Sequence, residues 1–158
     1  MELLGVRLEL PANAPVVLLR EQDGGRRVLP IYIGPEEAKA IALALDGIST
    51  PRPMTHDLMR DLLVALGASV SRVVLTELRD STFFAEIELA LAGKVHRVSS
   101  RPSDAIALAV RVDASIFASH EVLDDAAAPA TEGAPDQDQI VDEFRQFIEQ
   151  VNPEDFSS

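Results

Sequence analysis

Apolar positions at the start of the chain follow a short period. Leu3, Val6, Leu8 and Leu10 interrupt a charged pattern and predict a first strand. Pro11-Ala12-Asn13-Ala14-Pro15 breaks it with a turn, and residues 16–20, rich in β-branched and aliphatic side chains, predict a second strand. Asp23-Gly24-Gly25 supplies residues that tolerate positive φ, so residues 28–33 are expected to return as the hairpin partner.

The period lengthens at Gly34-Pro35-Glu36-Glu37. Proline suits the first helical position, where its missing N–H costs nothing, and acids suit the positive helix end. Ala38, Ile41, Ala42 and Leu45 then share one face, and Gly47 ends the helix. Residues 50–53 form a proline-punctuated loop. Thr55 is placed to cap a second helix, with Leu58, Met59, Leu62 and Leu66 as its expected buried face and Gly67 as its stop. Strands are predicted over 70–78, 82–91 and 94–99, joined at Arg79-Asp80-Ser81 and at Ala92-Gly93. Pro102-Ser103-Asp104 opens a third helix with Ala105, Leu108, Ala109 and Val112 on one face. Ile116-Phe117 and Val122-Leu123 read as short apolar returns.

The pattern repeats. Pro35-Glu36-Glu37-Ala38-Lys39-Ala40-Ile41-Ala42 overlays Pro102-Ser103-Asp104-Ala105-Ile106-Ala107-Leu108-Ala109 at an offset of 67, each after a glycine hairpin. Proline, an acid at the third place and three alanines coincide. Convergent helix starts would share the proline and the acid, but the alanine register favours duplication. The expected fold is α+β: a duplicated hairpin–helix unit forming a mainly antiparallel, barrel-like sheet with helices packed outside.

Residues 1–123 are thus expected to form one domain. Residues 124–137 read as an acidic linker rich in Ala and Pro, and 138–151 as an amphipathic helix with the stripe Ile140, Val141, Phe144, Phe147, Ile148 and Val151. Residues 152–158 read as a disordered end. Charge follows this division. The net charge of −12 falls as −3 on residues 1–123 and −9 on 124–158. The domain is nearly balanced, and the tail is either a solubilising segment or a cover for a basic groove. Cysteine is absent, which excludes disulfides and thiolate chemistry. Without a basic leader or a long apolar run, the reading is cytoplasmic.

The chain has no P-loop, no GxGxxG and no GxSxG. Three clusters could carry chemistry. In Arg52-Pro53-Met54-Thr55-His56-Asp57, an imidazole, a carboxylate and a guanidinium are the parts of phosphodiester cleavage: acid/base, orienter or metal ligand, and phosphate clamp. Arg101-Pro102-Ser103-Asp104 joins a bidentate phosphate donor to a carboxylate able to bind a divalent cation. Asp80 lies at a turn and gains meaning only if it faces Asp104 or His56. Helix caps and structural ion pairs are the commoner use of all three. Aromatic residues make up 4% of the chain, so stacking platforms for single strands are sparse.

Leu29-Pro30-Ile31-Tyr32-Ile33-Gly34 with Glu37-Ala38, Arg52-Pro53-x-Thr55-His56-Asp57-Leu58, Asp80-x-Thr82-Phe83-Phe84-Ala85, and Arg101-Pro102-Ser103-Asp104-Ala105-Ile106-Ala107-Leu108 resemble, in order, the bifunctional nuclease domain family. The resemblance spans about residues 1–123. It implies an α+β fold with a duplicated unit, self-association, and nuclease activity on RNA and DNA as in plant relatives; bacterial members share the domain. On that basis the chain is expected to be a hydrolase cutting phosphodiesters with Mg²⁺ or Mn²⁺. From their chemistry, Asp80 and Asp104 are assigned as metal ligands, His56 as acid/base and Asp57 as its orienter or a further ligand. Arg52 and Arg101 are assigned as phosphate clamps. The alternative is a non-catalytic regulatory or scaffold homo-oligomer, such as a dimer, that binds a protein partner through its acidic tail. Convergence of His56, Asp80 and Asp104 in one open pocket would favour the enzyme, and separate burial in caps would disfavour it.

Overall fold

The computed structural model describes residues 1–9 and 11–129. The expected 138–151 helix, the 152–158 end and most of the linker lie outside the described residues.

The first unit is β1 (Glu2–Glu9), β2 (Ala14–Arg20), β3 (Val28–Tyr32) and α1 (Pro35–Leu45). Next come α2 (Thr55–Ala65), then β4 (Ser69–Arg79), β5 (Thr82–Leu91), β6 (Lys94–Ser100) and α3 (Pro102–Val112). The described chain ends with β7 (Ser115–Ala118) and α4 (His120–Ala126). The repeat is larger than a hairpin and a helix. The bounds of α1 and α3 differ by 67 at both ends, and β1 and β4 begin 67 apart at Glu2 and Ser69. Each unit is three strands and a helix.

Among the described residues the strands form no closed barrel. They form two sheets, ordered β1-β2-β3 and β6-β5-β4-β7, with every pairing antiparallel except β4 with β7. Each unit closes its own hairpins, so the expected single sheet becomes one sheet per repeat. One core joins them, including Val17, Leu19, Ile41, Leu75, Ile106 and Leu108. α3 is not outside this core. Ser103 and residues Ala105 to Ala109 are all buried, because a helix apolar on nearly every side is enclosed. The alanines of both helices permit the close approach of α1 to α3.

Two smaller expectations change. α4 replaces an apolar return, and its cap is Ser119, whose hydroxyl accepts from the Val122 N–H at 3.2 Å. In α2 the cap position is Met54 rather than Thr55. Its apolar ridge also turns outward: Leu58, Leu62 and Leu66 are exposed, and His56 is the buried residue of the helix. α2 touches α3 along a narrow strip that includes Met59 and Leu63, and nothing described covers the ridge.

Candidate functional site

The site grows from two equivalent helix starts. Glu37 and Asp104 both occupy the third position of a proline-led helix, one per repeat. Arg101 stands just before α3 in extended backbone and reaches both acids. Its Nε donates to Asp104 Oδ2 at 2.8 Å and its Nη2 to Asp104 Oδ1 at 3.2 Å. Its Nη1 donates to Glu37 Oε1 at 2.8 Å. The equivalent of Arg101 in the first repeat is Gly34. A Cβ there would collide with the Glu37 carboxylate, so the missing side chain lets Glu37 fold back toward Arg101.

His56 completes the network from α2. Its Nε2 lies 3.1 Å from Asp104 Oδ1. The chain of contacts runs Glu37, Arg101, Asp104, His56, from cleft to interior. Arg101 is 65% exposed, whereas the His56 side chain is 9% exposed. Burial opposes ionisation of Asp104, but hydrogen bonds from Arg101 and His56, together with their charge, hold its carboxyl below the ordinary value. The guanidinium is held above its ordinary value by its bonds to Asp104 and then Glu37. Beside it opens a cleft of about 410 Å³, lined in part by Tyr32, Gly34, Glu37, Thr82, Arg101 and Ser103. It lies between the two repeats and under the β4–β5 turn.

The other expected site residues go elsewhere. Asp57 faces Arg111, whose Nε donates to Asp57 Oδ1 at 2.6 Å, and Asp57 Oδ2 accepts from the Met54 N–H at 3.0 Å. Burial raises the Asp57 carboxyl, and the Arg111 and Met54 hydrogen bonds outweigh it and lower the net value. Arg111 also donates to the carbonyls of Ala107 and Ala40 at 2.8 and 3.0 Å, which ties α2, α3 and α1 together. Asp80 is outside the network. It occupies the β4–β5 turn at φ 49°, and its neighbours Ser81 and Thr82 line the cleft. Arg52 is exposed on the loop before α2, where its carbonyl accepts from Thr50 Oγ1 at 2.6 Å.

These positions do not fit a resident divalent cation. Among the described residues no three His, Asp or Glu side chains converge. Both Asp104 oxygens already face Arg101 or His56. Asp80 and Asp104 are not joined in one ligand set.

Arg111 lies in no motif, and Glu37 belongs to the Glu37-Ala38 string of the resemblance without a site role attached to it. The repeat register is the signal for Glu37, since it stands where Asp104 stands 67 residues later.

A model of the bifunctional nuclease domain matches residues 17–131. The chain belongs to the bifunctional nuclease domain family. An uncharacterised protein of Mycobacterium tuberculosis is 40% identical over 166 residues, covering 100% of this chain and 98% of its own length. A bifunctional nuclease of the rice Oryza minuta is 24% identical over 94% of this chain, which spans 46% of that protein. Bifunctional nuclease 2 of Arabidopsis thaliana is 31% identical over 65% of this chain and 32% of its own length. No described helix is long and apolar enough to cross a membrane.

Proposed function

We propose that this domain hydrolyses phosphodiester bonds of RNA or DNA at the Arg101–Asp104–His56 network. One observation carries the reading: an exposed guanidinium at a cleft mouth shares a carboxylate with an imidazole. Arg101 uses three N–H groups on Glu37 and Asp104, and a guanidinium has five. The remainder can hold phosphate oxygens and stabilise the charge that develops on them.

His56 Nε2 faces Asp104, so Nδ1 is the nitrogen left to exchange protons. Because His56 does not line the cleft, a substrate must reach past Arg101 to the interior end of the network. In hydrolysis a water oxygen bonds to phosphorus and one ester P–O bond breaks. The water proton passes to the imidazole, and the leaving oxygen takes a proton back. Asp104 stabilises the intervening imidazolium. General acid–base catalysis of this kind contributes roughly 10²–10⁴-fold. No step is routed through a bound cation.

The test is cleavage of labelled single- and double-stranded RNA and DNA by the full chain, with Mg²⁺, Mn²⁺ or EDTA. His56→Ala and Arg101→Ala, purified identically and shown to be folded, run beside it. The expected result is cleavage that falls by at least about 100-fold in His56→Ala. Equal cleavage in wild type and both variants sinks the assignment. Loss of cleavage in EDTA would mean a cation enters with the substrate.

A second reading has its own support. His56 is nearly enclosed and Asp57 is consumed by Arg111, as in a scaffold. There the outward ridge of Leu58, Leu62 and Leu66 would serve a second copy of the chain. Wild type that cleaves none of the four substrates selects this reading.

A further inference from the structure

The first sheet has two apolar faces, and only one is accounted for. α1 packs on β1 and β2, on the face of Val6, Val17, Leu19 and Ile31. The opposite face carries a separate buried cluster of Leu4, Val16 and Leu18, with Val28 against it. Val16 is 2% exposed and Leu18 6%. A sheet face open to water leaves its side chains half exposed and is normally polar. No described helix lies over this one.

The chain leaves the described domain beside that face. Ala128 pairs with Val28 on the free edge of β3, with N···O distances of 2.8 and 3.0 Å in the two directions. The sequence that follows contains the stripe Ile140, Val141, Phe144, Phe147, Ile148 and Val151. As a helix, residues 138–151 would be about 21 Å long at 1.5 Å per residue. The strands of the sheet, five to eight residues each, are about 17–26 Å long at 3.3 Å per residue. The eight residues 130–137 can reach about 26 Å extended, enough to carry the segment across the sheet from β3.

Arg7 lies on the outer side with Val16 and Leu18, where Glu2, Glu9 and Arg20 also stand, and Arg20 is paired with Glu2 at 2.7 Å.

We infer that residues 138–151 of this same chain dock as an amphipathic helix on the outer face of the first sheet, over Leu4, Val16 and Leu18. The tail is a third layer of the fold. A short tether gives it an effective concentration of about millimolar, which favours its own sheet over the sheet of a second copy. The competing surface is the α2 groove of about 250 Å³, lined by Met59, Leu62, Leu66 and Val98 among others. It lies on an element remote in sequence from the point where the chain emerges.

The chain is free of cysteine, so engineered pairs are unambiguous. In the full chain, Arg7→Cys is combined in turn with Ile140→Cys and Phe147→Cys, and Leu66→Cys with the same two. Each is oxidised mildly and read by peptide mass spectrometry and non-reducing electrophoresis. The expected result is a bond within one chain for at least one Arg7→Cys pair, about tenfold or more above the Leu66→Cys pairs and unchanged on dilution. Bonds between chains, a preference for Leu66→Cys, or no preference overturns the inference. A second measurement needs no cysteine. Amide exchange in residues 2–9 and 14–20 should speed up about tenfold or more in Phe144→Asp/Phe147→Asp, with α2 unchanged. Unaltered exchange in the sheet overturns it.

Discussion

The two repeats share a backbone plan and differ in where they put charge. At matched positions the first has Gly34, Ala44 and Glu37; the second has Arg101, Arg111 and Asp104. Each arginine of α3 and its cap thus replaces a small residue of α1 and its cap. The sheets differ in the same sense. The first buries Leu4, Val16 and Leu18 on its outer face. The second carries a charged row on its face, in which the exposed Arg72 and Arg97 cover the buried Glu88 and donate to it at 2.6 and 3.0 Å. The first repeat is a packing unit. The second carries the polar network, and the candidate site lies where its charges meet the helix start of the first. A duplicated scaffold carries its charged network at the few positions where its copies differ.

The largest test of this contrast is Arg111. Its side chain is 5% exposed and serves Asp57 and two carbonyls. Arg111→Ala should cost about 3 kcal/mol, because removing one partner strands a partly buried charge. The matched change Ala44→Gly should cost about 1 kcal/mol, a helix-propensity effect. Urea melts of both decide it, and similar losses would mean that the charged tie adds nothing to the second repeat.

The outer faces give the next test. Leu18→Ala should cost about 2 kcal/mol or more, as for a buried leucine, and Val95→Ala on exposed β6 should stay within about 0.5 kcal/mol. If Leu18→Ala is as mild as Val95→Ala, the first sheet has no covered outer face.

Acid separates the halves further. Among the described residues, Glu21, Asp57, Glu88 and Asp104 are the carboxylates held below their ordinary values. Of these, Glu21 alone belongs to the first repeat. A lowered folded pKa stabilises above the unfolded value and loses that contribution as pH falls through the folded one. The contribution of these carboxylates should therefore be level at neutral pH and decline below the ordinary carboxylate range of 3.8 to 4.5. Asp104→Asn should be less stable than wild type at pH 7 and converge with it in acid. A constant difference across that range would show that the carboxylate charge is not what stabilises.

What the sequence made legible was local. Proline, an acid and alanines announced α1 and α3 with their shared register, because helix starts are set by a few adjacent residues. The contact of His56 with Asp104 was not legible, since it spans 48 residues and depends on how α2 meets α3. The pairing of Asp57 with Arg111 rather than His56 has the same cause. The apolar period of α2 marked Leu58, Met59, Leu62 and Leu66 as a buried face. Met59 alone of the four packs against the core and the three leucines are exposed, because periodicity carries no information on the partner. The described strands form two sheets and no closed barrel, and the sequence did not foretell this because a hairpin pattern fixes neighbours within a unit, not whether two units join edges.

The smallest expected effect concerns one turn. The first repeat turns through Asn13 at φ 50°, and its match is Asp80 at φ 49°, followed by Ser81 at φ 60°. Asparagine and aspartate tolerate the left-handed region, whereas serine adopts it at a cost. Two-residue hairpins with positive φ at both places favour glycine second, as Ala92-Gly93 shows in the same sheet. Ser81→Gly should therefore stabilise by about 0.5–1 kcal/mol, net of the backbone freedom that glycine adds to the unfolded chain. Ser81 also lines the cleft beside Arg101. A higher urea midpoint with unchanged cleavage would make the strain a relic of divergence. A higher midpoint with weaker cleavage would make the second repeat's turn, like its arginines, part of what the site requires.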